Sequence, residues 1–270
     1  MDKETSMYMA AALLSFTTLP IAPMVLNFLK PLNESRPKIF ILGGEFFTDR
    51  LEHYGKIYLF DCVCCSITAI IICAVDSMYA VCIEHCLGLF AIIKFRLQMS
   101  TKFINNKSIE SKQKHEDISY ELIVQTIQLH KKIIMLHIIA SSYSSSFLIL
   151  MGLNMIILSF ESVLILIKLN NIIEVVRFGF ILLGIVIHLF YISWPGQKLI
   201  DFSVGLFQDA YVNEWYESSI KAQKLLGFMT LRCIRPCQIT AGGIYVINFS
   251  NFASIVKTSL SYMTLFASLR

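Results

Sequence analysis

The chain has 270 residues, 56% hydrophobic and 16% charged, with a formal net charge of +4 and a mean hydropathy of +0.64. A soluble domain is about 45–50% apolar and about 25% charged. This composition excludes a disordered chain, a collagen-like chain and a small disulfide scaffold, and it argues against a soluble enzyme. The class is an integral membrane protein.

About 20 mainly apolar residues are needed for a helix to cross the hydrocarbon core. Five segments satisfy this: Met7–Leu29, Ile57–Phe95, Ile133–Phe160, Ile172–Trp194 and Ile239–Leu269. The second is too long for one crossing, so its later part, from Glu84 to Leu97, is expected to project into water beside other protein. The fold class is therefore all-α: a polytopic transmembrane helical bundle of five spans with cytoplasmic helical extensions. An outer loop is expected at 30–56 and a cytoplasmic loop at 98–132. Only about six residues precede the first span, and no cleavable signal peptide is read there.

Lys and Arg collect in cytoplasmic loops. Loops on one side carry fourteen of them and loops on the other carry seven. This places the N-terminus in the cytoplasm and, after five crossings, the C-terminus outside. The charge needs no nucleic-acid partner. The sequon at Asn33 falls in the first outer loop and is a candidate for glycosylation, whereas those at Asn106 and Asn248 fall in the cytoplasm and the membrane.

Six of the eight cysteines sit on the second segment, and Cys233 and Cys237 flank Arg235-Pro236. Their spacing makes no complete zinc set, so they are read as small buried hydrophobes. The six histidines form no metal or catalytic box, and His130 and His137 are read as structural. No cofactor, metal or enzymatic activity is expected. Asp76 lies at membrane depth, where an ionisable group must face protein or water. The serine-rich run Ser141–Ser146 reads as close packing inside a membrane helix. Gly242-Gly243 reads as a bend or close contact at a helix start.

From Trp194 to Pro236 the chain is no longer membrane-like. Tyr211 and Trp215 are four apart and expected on one helix face, followed by Ile220, Lys224, Leu225 and Phe228. Pro236 stops that helix. The last span holds Ser250, Asn251, Ser254, Lys257, Thr258, Ser259, Ser261 and Thr264, too polar a set for lipid on every side. Leu265 and Leu269 share a face and could form a hydrophobic constriction around a symmetry axis.

These residues carry a resemblance. The string Trp194-Pro195-Gly196-Gln197, then Ala210-Tyr211 with Trp215, then Leu231–Pro236, and Lys257–Tyr262 resemble the insect odorant receptors, in the style of ants, bees and wasps. Val75–Met78 and Glu84–Phe90 fit as well. The family has seven helices with the N-terminus inside. The first span here resembles its third helix, which implies that the N-terminal tail and first two helices are missing.

The resemblance implies a plasma-membrane, ligand-gated cation channel in which an odorant-binding subunit joins a co-receptor in a heterotetramer. It divides the chain into membrane helices (1–196), cytoplasmic anchor helices (197–238) and a pore-lining helix (239–270). The gate falls to Leu265 and Leu269 with Tyr262 beside them, and the subunit anchor to Tyr211, Trp215 and Leu225. For the volatile ligand the candidates are Thr18, Ser66, Ile70 and Phe180, from the outer halves of their spans. A gustatory-type receptor of the same superfamily and an unrelated membrane transporter are the alternatives.

Overall fold

The computed structural model describes residues 28–29, 51–105, 112–212 and 215–268. The first span apart from its last two, helical, positions, most of the outer loop, Thr18, Asn33 and Leu269 lie outside the described residues.

The long second segment is one helix, α1 (Tyr54–Asn105), of 52 residues. At 1.5 Å per residue it runs about 78 Å, more than twice the hydrocarbon thickness. The chain packs as two compact units that divide this helix between Tyr79 and Ala80.

In the first unit, α1 exposes Leu59, Val63, Ile67, Ile70 and Ile71 and buries Tyr54, Ile57, Asp61, Asp76 and Tyr79. Both carboxyls are thus turned away from the exposed apolar face, as the cost of a charge against lipid requires.

In the second unit, α1 buries Ile83, Cys86, Phe90, Ile93, Leu97 and Ser100. Steps of three and four repeat along this row, so one stripe faces the core over five turns. Two ion pairs tie it to α4 (Ile172–Val212): Lys94 to Asp209 at 3.0 Å and Lys198 to Glu84 at 3.6 Å.

Residues 98–105 and 112–132, expected as a cytoplasmic loop, are helical. They end α1 and open α2 (Lys112–Ser141), which buries Ser119, Ile123, Thr126, His130 and Ile133 at the same spacing. The Ser119 hydroxyl donates to the Ser100 carbonyl at 3.4 Å and joins the two helices.

The expected third span, Ile133–Phe160, is broken. α2 ends at Ser141, and α3 (Ser144–Ile167) begins after a two-residue turn. The hydroxyls of Ser141 and Ser142 donate to the Ile138 carbonyl, at 2.6 and 3.4 Å. Serine side chains compete with the amides for helix carbonyls, so this run stops a helix.

α4 runs unbroken through Pro195, the point where the expected span ended. It buries a continuous stripe of Leu189, Ile192, Leu199, Ser203, Leu206 and Ala210 on both sides of the proline. Packing on both flanks holds the helix where Pro costs it one hydrogen bond. α1, α3 and α4 are long and apolar enough to cross a membrane.

After α4, a short 3-10 turn (Trp215–Glu217) leads to α5 (Ile220–Cys233), whose N-cap Ser219 accepts the Ala222 amide at 3.4 Å. Tyr211 lies in α4, whereas Trp215 lies in the 3-10 turn. Tyr211 stacks on Phe207, and Trp215 meets Tyr216. α5 buries Ala222, Leu226, Met229 and Cys233, packing on α2 and α4.

The expected fifth span is shorter than Ile239–Leu269. Residues 239–248 form a hairpin of β1 (Thr240–Ala241) and β2 (Tyr245–Val246), antiparallel, with Ala241 opposite Tyr245. Gly242 and Gly243 turn it with φ of 63° and 71°, values that L-residues rarely adopt. α6 (Phe249–Ser268) then starts from Asn248, whose side-chain oxygen accepts the Asn251 amide at 2.8 Å.

Candidate functional site

The second unit seats the base of α6 in a socket. α4 supplies Phe190, Trp194, Gly196 and Gln197, and α6 supplies Phe249 and Phe252. The Phe190 ring stacks on Phe249 at 5.5 Å and meets Phe252 edge-on at 5.7 Å; Trp194 meets Phe249 edge-on at 6.3 Å. Gln197 uses both ends of its amide. Its oxygen accepts the Phe249 backbone amide at 3.3 Å, and its nitrogen donates to Asp201 at 2.8 Å. One orphan donor of the α6 N-terminus is thereby met by a side chain from α4. Gly196 is buried against the Ile247 backbone carbonyl, where a β-carbon would overlap it.

The segment before α6 is held from two further helices, α2 and α3, and again from α4. His137 donates from Nε2 to the Gln238 carbonyl at 2.7 Å, which sets its proton on that nitrogen. The Ser144 hydroxyl donates to the Thr240 carbonyl at 2.6 Å, and the Gly242 amide returns a bond to the Ser144 carbonyl at 2.9 Å. The Ser203 hydroxyl accepts the Cys237 amide at 2.9 Å. Below this lies a buried pair, Cys233 Sγ and His130 Nε2, 3.8 Å apart. Burial first, and then the nearby Arg232 charge, lowers the His130 pKa to about 4; burial pushes the Cys233 thiol up to about 11. His130 is therefore a neutral ring between α2 and α5.

α6 itself is two-sided. Ile255 and Ser259 are buried, and the helix packs on α3 and α4. Ser254, Lys257, Leu260, Ser261, Thr264 and Leu265 are exposed. A shallow groove of about 450 Å³ runs along it past Phe252, Val256, Lys257, Leu260 and Thr264. Of the gate candidates, Tyr262 and Leu265 are exposed on α6, one turn apart.

Of the ligand candidates, Ser66, Ile70 and Phe180 lie among the described residues. Ser66 and Ile70 lie one turn apart on α1 in the first unit. Ser66 is half-buried, with its hydroxyl donating to the Cys62 carbonyl at 2.8 Å, and Ile70 is exposed. Phe180 is an exposed residue of α4 in the second unit. Of the anchor candidates, Leu225 is half-buried while its neighbour Leu226 carries the α5 contact. Among the described residues no group of three or more His, Cys, Asp or Glu is placed to hold a metal ion. Reading the sequence missed the socket roles of Gly196, Gln197, Ser144 and Ser203. The one signal for them was a Pro-Gly pair followed by Gln inside an apolar helical pattern.

Long apolar helices followed by a polar, one-sided final helix are the features of a polytopic helical membrane protein. The family model described as 7tm Odorant receptor matches residues 3–260. The chain belongs to the odorant receptor family. It is 30% identical over 71 residues to odorant receptor 49a of Drosophila melanogaster, covering 26% of this chain and 18% of that one. It is 30% identical over 81 residues to odorant receptor 10 of Aedes albopictus, covering 30% and 22%. The fold matches the insect olfactory receptor OR5 of Machilis hrabei in complex with eugenol, with a TM-score of 0.74 at 14% identity. That match covers 99% of this chain and 66% of the solved one. A second structure of OR5 from Machilis hrabei matches with a TM-score of 0.68 at 18% identity, over 98% of this chain and 64% of the solved one.

Proposed function

We propose that this odorant receptor acts as the odour-recognising subunit of a ligand-gated cation channel, joined to co-receptor subunits in a heterotetramer of the plasma membrane. α6 lines the ion path, with Leu265 and Leu269 as the constriction and Tyr262 beside it. The N-terminus is cytoplasmic and the C-terminus extracellular. Residues 197–238 serve as the subunit anchor, including Tyr211, Trp215 and Leu225. Ser66 and Ile70, and separately Phe180 and Thr18, are candidates for touching the odorant, and Asn33 for carrying glycan. The gustatory and transporter readings lose to the odorant-receptor family match.

The observation that carries this reading is the exposed polar face of α6. A crossing helix whose exposed side bears a lysine among its serines and threonines needs protein or water against that charge. A second observation fits: α5, outside the apolar crossing helices, leaves Ile220, Phe228, Leu231 and the following Ile234 exposed. An apolar row of this kind marks a contact with another chain.

The test is whole-cell recording from cells expressing the receptor with an insect co-receptor, over a broad odour panel. Odour-evoked cation current that requires both subunits is expected. Silence across the panel, with both proteins labelled at the cell surface, overturns the reading.

A further inference from the structure

α6 carries one charged side chain, Lys257, the ninth of its twenty residues. The hydroxyls on this helix do not by themselves require water. Ser259, Ser261, Thr264 and Ser268 each donate to a carbonyl of their own helix, at 3.0, 2.9, 2.9 and 2.8 Å. A serine satisfied in this way can face hydrocarbon. An ammonium cannot. It carries a full charge with three donors, which hydrocarbon does not solvate.

Lys257 is exposed and lines the groove along α6, and among the described residues it forms no ion pair. If α6 crosses the bilayer from end to end, as the pore-lining reading requires, snorkelling does not rescue it. The helix start is about 12 Å away and its end about 16 Å, while a four-carbon stem reaches roughly 6 Å.

We infer that Lys257 faces the water-filled ion path and acts as a selectivity element, a fixed positive charge that disfavours divalent cations over monovalent ones. The inference rests on the reading of α6 as pore-lining. The electrostatic penalty scales with the charge of the permeating ion. One positive charge about 7 Å from the path, in a water-like dielectric, shifts the divalent-to-monovalent permeability ratio roughly threefold.

The experiment measures reversal potentials of the odour-evoked current under Ca²⁺ and Na⁺ bi-ionic conditions, with the receptor and its co-receptor at the cell surface. Lys257→Gln should raise the Ca²⁺ to Na⁺ permeability ratio about threefold, and Lys257→Arg should keep it low. In Lys257→Cys, a bath-applied trimethylammonium-ethyl methanethiosulfonate should form a mixed disulfide with release of methanesulfinate. The added charge should return the ratio toward its original value, and a neutral reagent of similar size should not. Normal odour currents with an unchanged ratio in the Lys257→Gln and Lys257→Cys variants, and no reaction of the introduced thiol, overturn the inference alone. No odour current from the unsubstituted receptor at the surface overturns the pore-lining reading and this inference with it.

Discussion

The α-carbon of Gly196 lies against the backbone carbonyl of Ile247, closer than any side-chain-bearing residue could. Residues far apart in sequence meet here, and the contact sets the distance between α4 and the base of α6. A methyl group at 196 must push the hairpin away, and the Gln197 bond to Phe249 stretches with it. Gly196→Ala should therefore destabilise the receptor by about 1–3 kcal/mol, the range for overpacking a filled site. The change would show as a lower unfolding temperature in detergent by fluorescence-detected size exclusion. An unchanged transition would mean that α4 and α6 are not joined at this contact.

The two glycines of the hairpin should separate. Both hold positive φ, so alanine costs about 1–2 kcal/mol at either. A β-carbon at Gly242 would in addition lie 2.5 Å from Leu148 Cδ2, whereas at Gly243 it meets open space. Gly242→Ala should be the worse of the pair, and trimming Leu148 to Ala should narrow the gap. Equal losses in thermal stability would contradict this packing.

His130 should make the packing of α2 against α5 sensitive to acid. Its pKa falls from 6.5 in the unfolded chain to about 4 when folded. Between these values the unfolded state binds the extra proton, so stability declines as pH drops from 6.5 toward 4. The stability is fully present above 6.5. The full effect is on the order of 3 kcal/mol at about 1.4 per pKa unit. His130→Gln should flatten the pH dependence of the unfolding temperature in this window. A slope that persists would assign it to other groups.

Opposite faces of α5 should give opposite phenotypes. Leu226 is buried and Phe228, two residues on, is exposed. Leu226→Ala should cost about 2–5 kcal/mol of fold stability. Phe228→Ser should leave the isolated receptor's stability within about 0.5 kcal/mol and weaken its assembly with the co-receptor, read as loss of the tetramer on native gels. If Phe228→Ser keeps the tetramer intact, α5 is not the anchor.

The membrane class, the helical fold, the overlong α1 and the polar final helix were all legible in the sequence. Composition and the three-to-four spacing of apolar residues are local, and burial in helices depends on them directly. Helix ends were less legible. The expected third span ran through Ser141–Ser146, because hydropathy does not register that serine hydroxyls were to take the Ile138 carbonyl. The expected fifth span began at Ile239, because two glycines in a hydrophobic run fit a helix start as well as a turn. Tyr211 and Trp215 have the spacing of one helix face but fall in two different elements.

The socket was decided by tertiary structure alone. His137 meets Gln238 across 101 positions, Ser144 meets Thr240 across 96, and Gln197 meets Phe249 across 52. Apart from Gln197, which follows Pro195-Gly196, no residue in these pairs differs locally from an ordinary helix or loop residue. Each becomes a partner only when α2, α3 and α4 converge on the hairpin and the start of α6, where a backbone group finds a donor or acceptor that its own element does not supply.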